Sequence, residues 1–316
     1  MPETLDSLLS QTTMPLEIVV SNHGSTDDTA AVIAEYEARY PGLIRGVTPP
    51  PGASISEQWN FTASQLQGDW ITLLSSDDVA RPNFVSAFLR GAMRAPDVVL
   101  VRAGWENIDL KGKVVSKEFL LSVDKITRPP QTILEQRYGP KVSFAAYAVQ
   151  REAFHASGGF LDGFESLGDW MFFVQIAAYG AFAYENEIVS GYRVGYDVDK
   201  FRVRAGMWIR DEIRMFTEVM PRAAAHAGMT DTGWIREAFR ANFERYLGSA
   251  SEKYKPEERG PIVPLFKRWA ELVEGQALLA RFAAGEALRR PMTLTGRVKR
   301  MLRPTVQRAY ALLHRG

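Results

Sequence analysis

Two adjacent aspartates, Asp77 and Asp78, follow the apolar run of residues 70–76 and open a polar turn that ends at Pro82. Paired carboxylates at the C-terminal end of a strand place hard oxygen ligands where an open α/β sheet binds its ligand. Such a pair suits a divalent cation that is itself held against phosphates. The alternative is structural, because Asp is also common in turns and ahead of helices.

A further carboxylate, Asp169, follows a loop rich in glycine and acidic residues, residues 158–168, and precedes an amphipathic helix. A loop-borne carboxylate that is partly buried and within hydrogen-bond reach can act as general base on a substrate hydroxyl. Capping of the helix N-terminus explains this aspartate equally well. The presence of a second carboxylate cluster nevertheless favours a chemical role for both.

Asn22 and His23 follow the β-branched run of residues 17–21, and a nucleotide would lie at the end of such a strand. For these residues a functional and a structural interpretation are equally good. The next residues fit a helix N-terminus, with Ser25 as the cap and Asp28 completing a capping-box-like pair.

The elements that position these residues can be predicted from the pattern of apolar positions. Up to about Gly195, short apolar runs alternate with helical stretches, which predicts a mainly parallel sheet with helices on both faces. From about Val203 to Leu288 the pattern is helical throughout. We therefore predict an α/β domain over residues 1–200 and a helical C-terminal region over residues 201–316.

Composition excludes several classes of protein. The chain has 316 residues, 46% hydrophobic and 24% charged, with a net charge of +1, which indicates a globular protein rather than a disordered or general nucleic-acid-binding one. It has no cysteine, so thiolate metal sites, disulfides and cysteine nucleophiles are excluded. Its four histidines are scattered and form no pair at metal-ligand spacing, so a histidine–zinc site is not expected.

The sequence favours a cytoplasmic location. No apolar run approaches the ~20 residues that span a bilayer, and the N-terminus has neither a basic leader nor an apolar signal core. The last stretch, residues 289–315, interleaves Arg and Lys with apolar residues and contains no acid. It is either a solvated basic face or an interfacial helix on anionic lipid, and the second option would give peripheral contact with the inner face of the cell membrane.

In their order and spacing these motifs resemble the family 2 glycosyltransferases of GT-A fold, over about residues 5–195. The resemblance is carried by residues 7–12, 17–29, Trp59-Asn60, 68–71, 74–78 with Pro82, 158–160 and 168–170.

The resemblance implies roles for individual residues. Asn22 matches the position at which the family's Asp meets the nucleobase, and Asp77 matches the carboxylate that faces the ribose. Asp78 matches the ligand of a Mn²⁺ or Mg²⁺ ion that bridges the donor's diphosphate. Asp169 matches the general base that deprotonates the acceptor hydroxyl. Asn60 falls at a helix position that often lines the nucleotide pocket.

The activity that this resemblance implies is sugar transfer with inversion at the anomeric carbon. The donor would be a nucleotide-diphosphate sugar, commonly UDP-linked in relatives, and the acceptor a hydroxyl of a surface glycan or lipid-linked saccharide. Nucleic acid is not expected as a partner, because the catalytic half has no basic face studded with aromatic residues.

One departure from the family concerns the start of the chain. The family begins with an apolar strand placed between the strands that carry Asn22 and Asp77-Asp78, whereas this chain starts at the following helix. Without a central strand, two ladders of backbone groups are exposed and the nucleotide pocket loses one wall. We therefore expect either that Met1 is not the natural start, or that the product is a truncated, catalytically inactive GT-A-like binding protein.

A second departure concerns a histidine. Many relatives place a His shortly after a Tyr-Arg pair, but Tyr192-Arg193 is followed here by Val194, Gly195 and Tyr196. We therefore do not predict a supplementary metal or phosphate contact from this segment.

Overall fold

The structure, a computed structural model, describes residues 1–195 and 200–288. The chain divides into two compact units, Met1–Ile235 and Arg236–Gly316. The domain boundary that the sequence suggests near residue 200 stays a prediction. All the candidate site residues lie in the first of the two units.

The first unit is built from short strands and helices. Its strands are β1 (Ile18–Ser21), β2 (Ile44–Val47), β3 (Trp70–Ile71), β4 (Val79–Ala80), β5 (Val98–Ile108), β6 (Val114–Glu118), β7 (Lys125–Thr127), β8 (Tyr147–Gln150) and β9 (Ala181–Arg193). Its helices are α1 (Pro2–Leu9), α2 (Thr29–Arg39), α3 (Ile55–Ser64), α4 (Phe84–Ala92), α5 (Gln131–Glu135), α6 (Arg151–Ala156), α7 (Gly168–Ile176), α8 (Lys200–Arg214) and α9 (Met220–His226).

The described strands form two sheets. The smaller sheet pairs β1 and β2 in parallel. The larger sheet has the order β3-β8-β5-β9-β4, with β6 added to β5 and β7 added to β9. In this sheet β5 and β9 run parallel, and the other pairs are antiparallel. The predicted α/β class is confirmed, but the sheet is mixed rather than mainly parallel.

The turn after β5 is one cause of this difference. The N–H of Asp109 donates to the Lys113 carbonyl (2.9 Å), and Gly112 adopts a positive φ of 80°. So tight a turn can join only antiparallel neighbours, because a parallel connection needs a crossover of a dozen or more residues. The alternation of apolar runs and helical stretches predicts a strand followed by a helix here. It gives no sign that the strand is followed instead by a hairpin.

The centre of the larger sheet is covered on both faces. The first seven residues of β5 are buried without alternation, as expected of a strand between two layers. Helix α7 is apolar all round, and its residues Met171, Phe172, Phe173 and Val174 are fully buried. Because α7 is fixed in the core, its first turn, which carries Asp169, has a defined position.

Helix α3 begins at a capping box. The Glu57 N–H donates to the Ser54 hydroxyl (3.2 Å), and the Ser54 N–H donates to the Glu57 carboxylate (2.7 Å). This arrangement satisfies two backbone donors that a helix N-terminus otherwise leaves unpaired. It fixes the start of the helix that carries Trp59 and Asn60.

The second unit is helical, as predicted for this part of the sequence. It contains most of α10 (Gly233–Lys253), then α11 (Val263–Leu272) and α12 (Gln276–Ala283). Its core is aromatic, since Phe243, Phe266, Trp269 and Phe282 are fully buried. The basic tail, residues 289–316, lies outside the described residues, so membrane contact through it stays a prediction. Among the described residues, no helix combines the length and the apolar character needed to cross a membrane.

Candidate active site

Asp78 is the most buried of the predicted site carboxylates, with 1% of its surface exposed. Its Oδ1 accepts the backbone N–H of Arg193 (2.8 Å), and no described residue makes a hydrogen bond to its Oδ2. Burial raises the pKa of Asp78 to about 7, the Arg193 N–H opposes the rise, and the charge of Asp77 adds to it. The turn therefore contains a buried carboxylate oxygen that no described residue satisfies with a hydrogen bond.

Arg193, at the end of β9, holds the turn that carries the two aspartates. Its guanidinium donates from Nε to the Asp77 carbonyl (2.7 Å), from Nη1 to the Asp109 carbonyl (3.0 Å) and from Nη2 to a Glu3 carboxylate oxygen (2.6 Å). Only 8% of Arg193 is exposed. Sequence reasoning considered this arginine only for the residues that follow it and missed this role. The available signal was a charged residue closing a largely apolar strand.

Asp169 lies in the first turn of α7. Its Oδ1 accepts the N–H of Trp170 (2.7 Å). Burial raises the pKa of Asp169 to about 6, and the Trp170 N–H opposes the rise. A carboxyl group with this pKa can take up a proton near neutral pH, as a general base must.

Contacts connect the surroundings of Asp169 with the segment that leads to Asp77. Burial raises the pKa of Tyr147, a backbone hydrogen bond with Leu73 opposes the rise, and the charge of Asp169 adds to it. A Cβ built on Gly168 would lie 3.7 Å from the Trp59 ring. Trp59 in turn lines the same cavity as Ser76, the residue before Asp77. The two carboxylate clusters therefore border the same region of the first unit.

Asn60 holds the loop that precedes α7. Its Nδ2 donates to the Phe160 carbonyl and its Oδ1 accepts the Phe160 N–H, both at 2.8 Å. The neighbouring Gly159 has a φ of 67°, and a Cβ there would lie 2.4 Å from the Asn60 oxygen. This is a positioning contact, and the predicted contact of Asn60 with a nucleotide stays a prediction.

Asp211, on α8, holds the end of the same loop, and sequence reasoning missed it. One of its carboxylate oxygens accepts the N–H groups of Glu165 (3.1 Å), Ser166 (2.7 Å) and Leu167 (2.9 Å). Burial raises the pKa of Asp211, and these three hydrogen bonds oppose the rise. The loop is therefore tied at both ends, to α3 by Asn60 and to α8 by Asp211.

Asn22 is half-buried at the end of β1. Its N–H donates to the Val47 carbonyl (2.9 Å), and its side-chain oxygen accepts the Ser25 N–H (3.0 Å). The predicted capping pair of Ser25 and Asp28 is wrong. Helix α2 begins at Thr29, whose N–H is accepted by Asp27 (3.1 Å), because Asn22 has already turned the chain at Ser25.

A divalent cation would have few protein ligands in the described part of this site. Among the described residues, no group of three or more His, Asp or Glu side chains could hold a metal ion. A cation that is also bound by a substrate's phosphates needs fewer protein ligands, and Mg²⁺ commonly takes one or two carboxylates in such sites. The unpartnered Asp78 Oδ2, with Asp77 beside it, fits this second arrangement.

Solved structures of sugar transferases share this fold. The chain is similar to S. aureus TarS 1-349 in complex with UDP, with a TM-score of 0.62 and 14% identity, over 90% of this chain and 83% of that one. It is also similar to the mannosyltransferase PcManGT from Pyrobaculum calidifontis in complex with GDP-Man and Mn²⁺, with a TM-score of 0.51 and 16% identity, over 89% and 81% of the two chains. The fold is that of the GT-A glycosyltransferases, as the sequence predicted.

The sequence comparison points to the same class of protein. Residues 1–151 match the model of glycosyl transferase family 2. The match includes Asn22, Asn60, Asp77 and Asp78 and ends before Asp169. Chondroitin synthase of Pasteurella multocida (strain Pm70) is 27% identical over 187 residues, which are 58% of this chain and 18% of that protein. The match thus spans less than a fifth of that relative's length.

Proposed function

We propose that the protein transfers a sugar from a nucleotide-diphosphate donor, UDP-linked in the first instance, to a hydroxyl of a saccharide acceptor, with inversion at the anomeric carbon. The match of residues 1–151 to glycosyl transferase family 2 supports the general activity. The donor, the acceptor, the stereochemistry and the use of a metal ion are the proposed parts. A cytoplasmic location stays a prediction from the sequence.

The observation that carries the proposal is the unpartnered Oδ2 of Asp78. A buried carboxylate oxygen without a hydrogen bond is costly, and a bound cation would remove that cost. Asp78 would hold a Mn²⁺ or Mg²⁺ ion, and the ion would neutralise charge on the donor's diphosphate. Arg193 fixes the backbone of this turn by binding the Asp77 carbonyl.

Asp169 is the residue we assign to the acceptor. Its Oδ1 is engaged by the Trp170 N–H, so Oδ2 takes the proton of the attacking hydroxyl. The acceptor oxygen forms a bond to the anomeric carbon while the bond from that carbon to the phosphate oxygen breaks. The nucleoside diphosphate leaves with the electron pair of the broken bond, and the proton stays on Asp169. A single displacement of this kind inverts the configuration of the anomeric carbon.

The comparisons support the proposed substrates by similarity. TarS is in complex with UDP, and PcManGT is in complex with GDP-Man and Mn²⁺. The Pasteurella relative is named a chondroitin synthase, which favours a growing polysaccharide as acceptor. A lipid-linked saccharide offers the same hydroxyl chemistry.

The test measures release of nucleoside diphosphate from a panel of UDP- and GDP-sugars, with Mn²⁺, with Mg²⁺ and with EDTA. We expect metal-dependent release that Asp78→Ala abolishes and that Asp169→Asn lowers by about 10²- to 10⁴-fold. The matched control is Glu152→Gln, at an exposed residue of the same unit, which should retain wild-type activity. Metal-independent release, or full activity of Asp169→Asn, would refute the mechanism.

One observation favours the alternative, a GT-A-like binding protein without catalysis. An open cleft lies between β1 and the segment that leads to Asp77, and Ser21 and Ser76 line it beside the candidate site. A donor pocket open on that side would bind a nucleotide weakly and orient it poorly. Binding of UDP measured by calorimetry, without turnover of any donor, would support this alternative.

A further inference from the structure

Three polar side chains in and just after helix α1 are buried. Thr4 and Ser7 lie on α1 and Gln11 follows its end, with 5%, 8% and 7% of their surfaces exposed. The neighbouring Leu5 belongs to an apolar cluster with side chains of β1 and α2, so the helix is fixed in the first unit. Buried polar groups in folded proteins are hydrogen-bonded, and the partners of these three side chains therefore indicate what they hold in place.

The Thr4 side chain contacts the turn that carries the two candidate aspartates. This aspartate turn, residues 75–78, is closed by the N–H of Asp78, which donates to the Ser75 carbonyl (3.1 Å). The Thr4 hydroxyl donates to the Ser76 carbonyl inside the turn (2.8 Å). Thr4 therefore holds the backbone immediately before the two aspartates.

Ser7 holds the chain just after the turn. The N–H of Ala80 in β4 donates to the Ser7 hydroxyl (3.0 Å), and this hydroxyl donates its own proton to the Thr4 carbonyl (2.6 Å). The next N–H, that of Arg81, donates to the Val189 carbonyl of β9 (2.7 Å), so the Ala80 N–H points away from β9. Among the described strands, β4 pairs with β9 alone. Ser7 therefore satisfies a backbone donor that no described strand reaches.

Gln11 connects the same helix to the segment that follows β4. Its Nε2 donates to the Arg81 carbonyl (2.8 Å) and to the Ser7 carbonyl (2.9 Å), and its Oε1 accepts the N–H of Val85 in the first turn of α4 (3.2 Å). The chain on both sides of the aspartates is thus attached to α1 by side-chain hydrogen bonds. Since α1 is itself fixed by its apolar side, these bonds define where the turn lies.

We propose that Thr4 and Ser7 are positioning residues, which hold the aspartate turn where Asp78 can bind the divalent cation of the donor complex. The proposal rests on the proposed function, in which Asp78 holds Mn²⁺ or Mg²⁺. The two hydroxyls act through the backbone and are not themselves metal ligands. A binding group must be held within about 0.5 Å of its productive place, so a looser turn should weaken cation binding.

Two variants remove the hydroxyls one at a time. Thr4→Val and Ser7→Ala each lose the hydroxyl with little change in side-chain shape, whereas Thr4→Ser keeps it and serves as the rescue variant. The matched control is Ser10→Ala, at an exposed hydroxyl at the end of the same helix that donates to the Ser7 carbonyl. All measurements use the full chain.

The first readout is amide hydrogen exchange of the protein without metal or donor. We expect the Asp78 amide to exchange at least about tenfold faster in Thr4→Val and in Ser7→Ala than in the wild type, because its hydrogen bond closes the turn. The Met171 amide, in the buried helix α7, should stay within about threefold of the wild type. Loosening of the whole fold would instead raise both exchange rates by the same factor.

The second readout is Mn²⁺ binding in the presence of UDP, measured by electron paramagnetic resonance of the free ion. We expect the affinity for Mn²⁺ to fall about tenfold in Thr4→Val and in Ser7→Ala. In Thr4→Ser and Ser10→Ala it should stay within about threefold of the wild type. The turnover number at saturating Mn²⁺ should change by less than about threefold in every variant, because the bound ion restores the position of the turn.

The outcomes separate this proposal from the proposed function. A wild type that binds no Mn²⁺ with UDP would refute the metal site and the positioning role together. A wild type that binds Mn²⁺ with the same affinity as Thr4→Val and Ser7→Ala would refute the positioning role alone. Unchanged exchange of the Asp78 amide, or a lower turnover number at unchanged Mn²⁺ affinity, would also overturn it.

Discussion

The two sides of the candidate site differ in how their backbone is held. On the carboxylate side, Arg193 and Asp211 are buried and bind backbone groups from three segments of chain. On the side where the resemblance places the nucleobase, Asn22 follows a two-stranded sheet, and residues 24–28 are exposed. The outer edge of that sheet faces the cleft between β1 and β3.

This difference indicates which side of the candidate site is ordered before substrate binds. Catalytic groups act best when their positions are fixed before substrate binds, and the loop ahead of Asp169 is fixed at both ends. The side that carries Asn22 is more exposed in the described part of the chain, and we expect it to gain order when a nucleotide binds. Four measurements test this difference.

The largest effect on stability is expected at Arg193. Arg193→Met would leave the Asp77 and Asp109 carbonyls without a donor, and each unsatisfied buried group costs about 1–3 kcal/mol. We expect the free energy of unfolding to fall by about 2–4 kcal/mol in urea denaturation. Arg39→Met, which removes an exposed ion pair with Glu35, is the control and should cost less than about 1 kcal/mol. Equal losses in the two variants would show that the carboxylate side is no better held than the surface.

A smaller effect is expected at Asn60. Asn60→Ala removes both hydrogen bonds to Phe160, which should lower the free energy of unfolding by about 2 kcal/mol. Because the loop positions Asp169, the turnover number should also fall while the affinity for UDP stays within about threefold. Gln67→Ala, at an exposed amide, is the control. A loss of UDP affinity with unchanged turnover would instead favour the predicted contact of Asn60 with the nucleotide.

Local features of the site were predictable from sequence, and its long-range contacts were not. Asp77 and Asp78 stand where an apolar run ends and Asp169 where a helical pattern begins, so their places at element ends followed from periodicity alone. Arg193 binds a carbonyl 116 positions earlier in the chain, and Asp211 binds N–H groups 44 to 46 positions earlier. No local pattern encodes such pairs, because they depend on how the chain returns on itself.

The same reason explains the errors in the predicted fold. One of the antiparallel pairs, β5 with β6, depends on a hairpin within what the pattern presents as one unit. The start of α2 depends on which of several adjacent polar residues turns the chain first. Ser25 has the right residue type for a cap, but Asn22 accepts its N–H and Asp27 accepts that of Thr29. Several candidate caps lay within a few residues, and propensity alone could not rank them.

The pH dependence tests Asp169 in two ways. Its pKa is raised by burial to about 6, so the base is protonated below that pH and the transfer rate should fall about tenfold per pH unit. Relative to the unfolded chain, the folded state favours the protonated form of Asp169. Its stabilising contribution is therefore complete below the unfolded pKa of 3.8 and is lost as the pH rises through about 6.

Comparison with a neutral side chain isolates this contribution. Asp169→Asn should match the wild type in free energy of unfolding near pH 4, become relatively more stable as the pH rises to about 6, and keep that advantage up to pH 8. Glu152→Gln should show no such trend across this range, because its side chain is exposed. If the difference in free energy of unfolding between wild type and Asp169→Asn stays constant with pH, burial does not raise the pKa of Asp169.

The smallest effect is expected at Asn22, on the less constrained side. In Asn22→Asp the carboxylate can accept the Ser25 N–H as the amide does, so the turn should persist. The change adds one charge where the resemblance places the nucleobase, and a half-buried charge–dipole contact of this kind should alter the affinity for UDP by less than about tenfold, or 1.4 kcal/mol. Calorimetry with UDP on the wild type and on Asn22→Asp measures the change. Equal affinities would count against the predicted contact of Asn22 with the nucleobase, and a change well above tenfold would show that residue 22 is held more firmly against the nucleotide than its half-buried position implies.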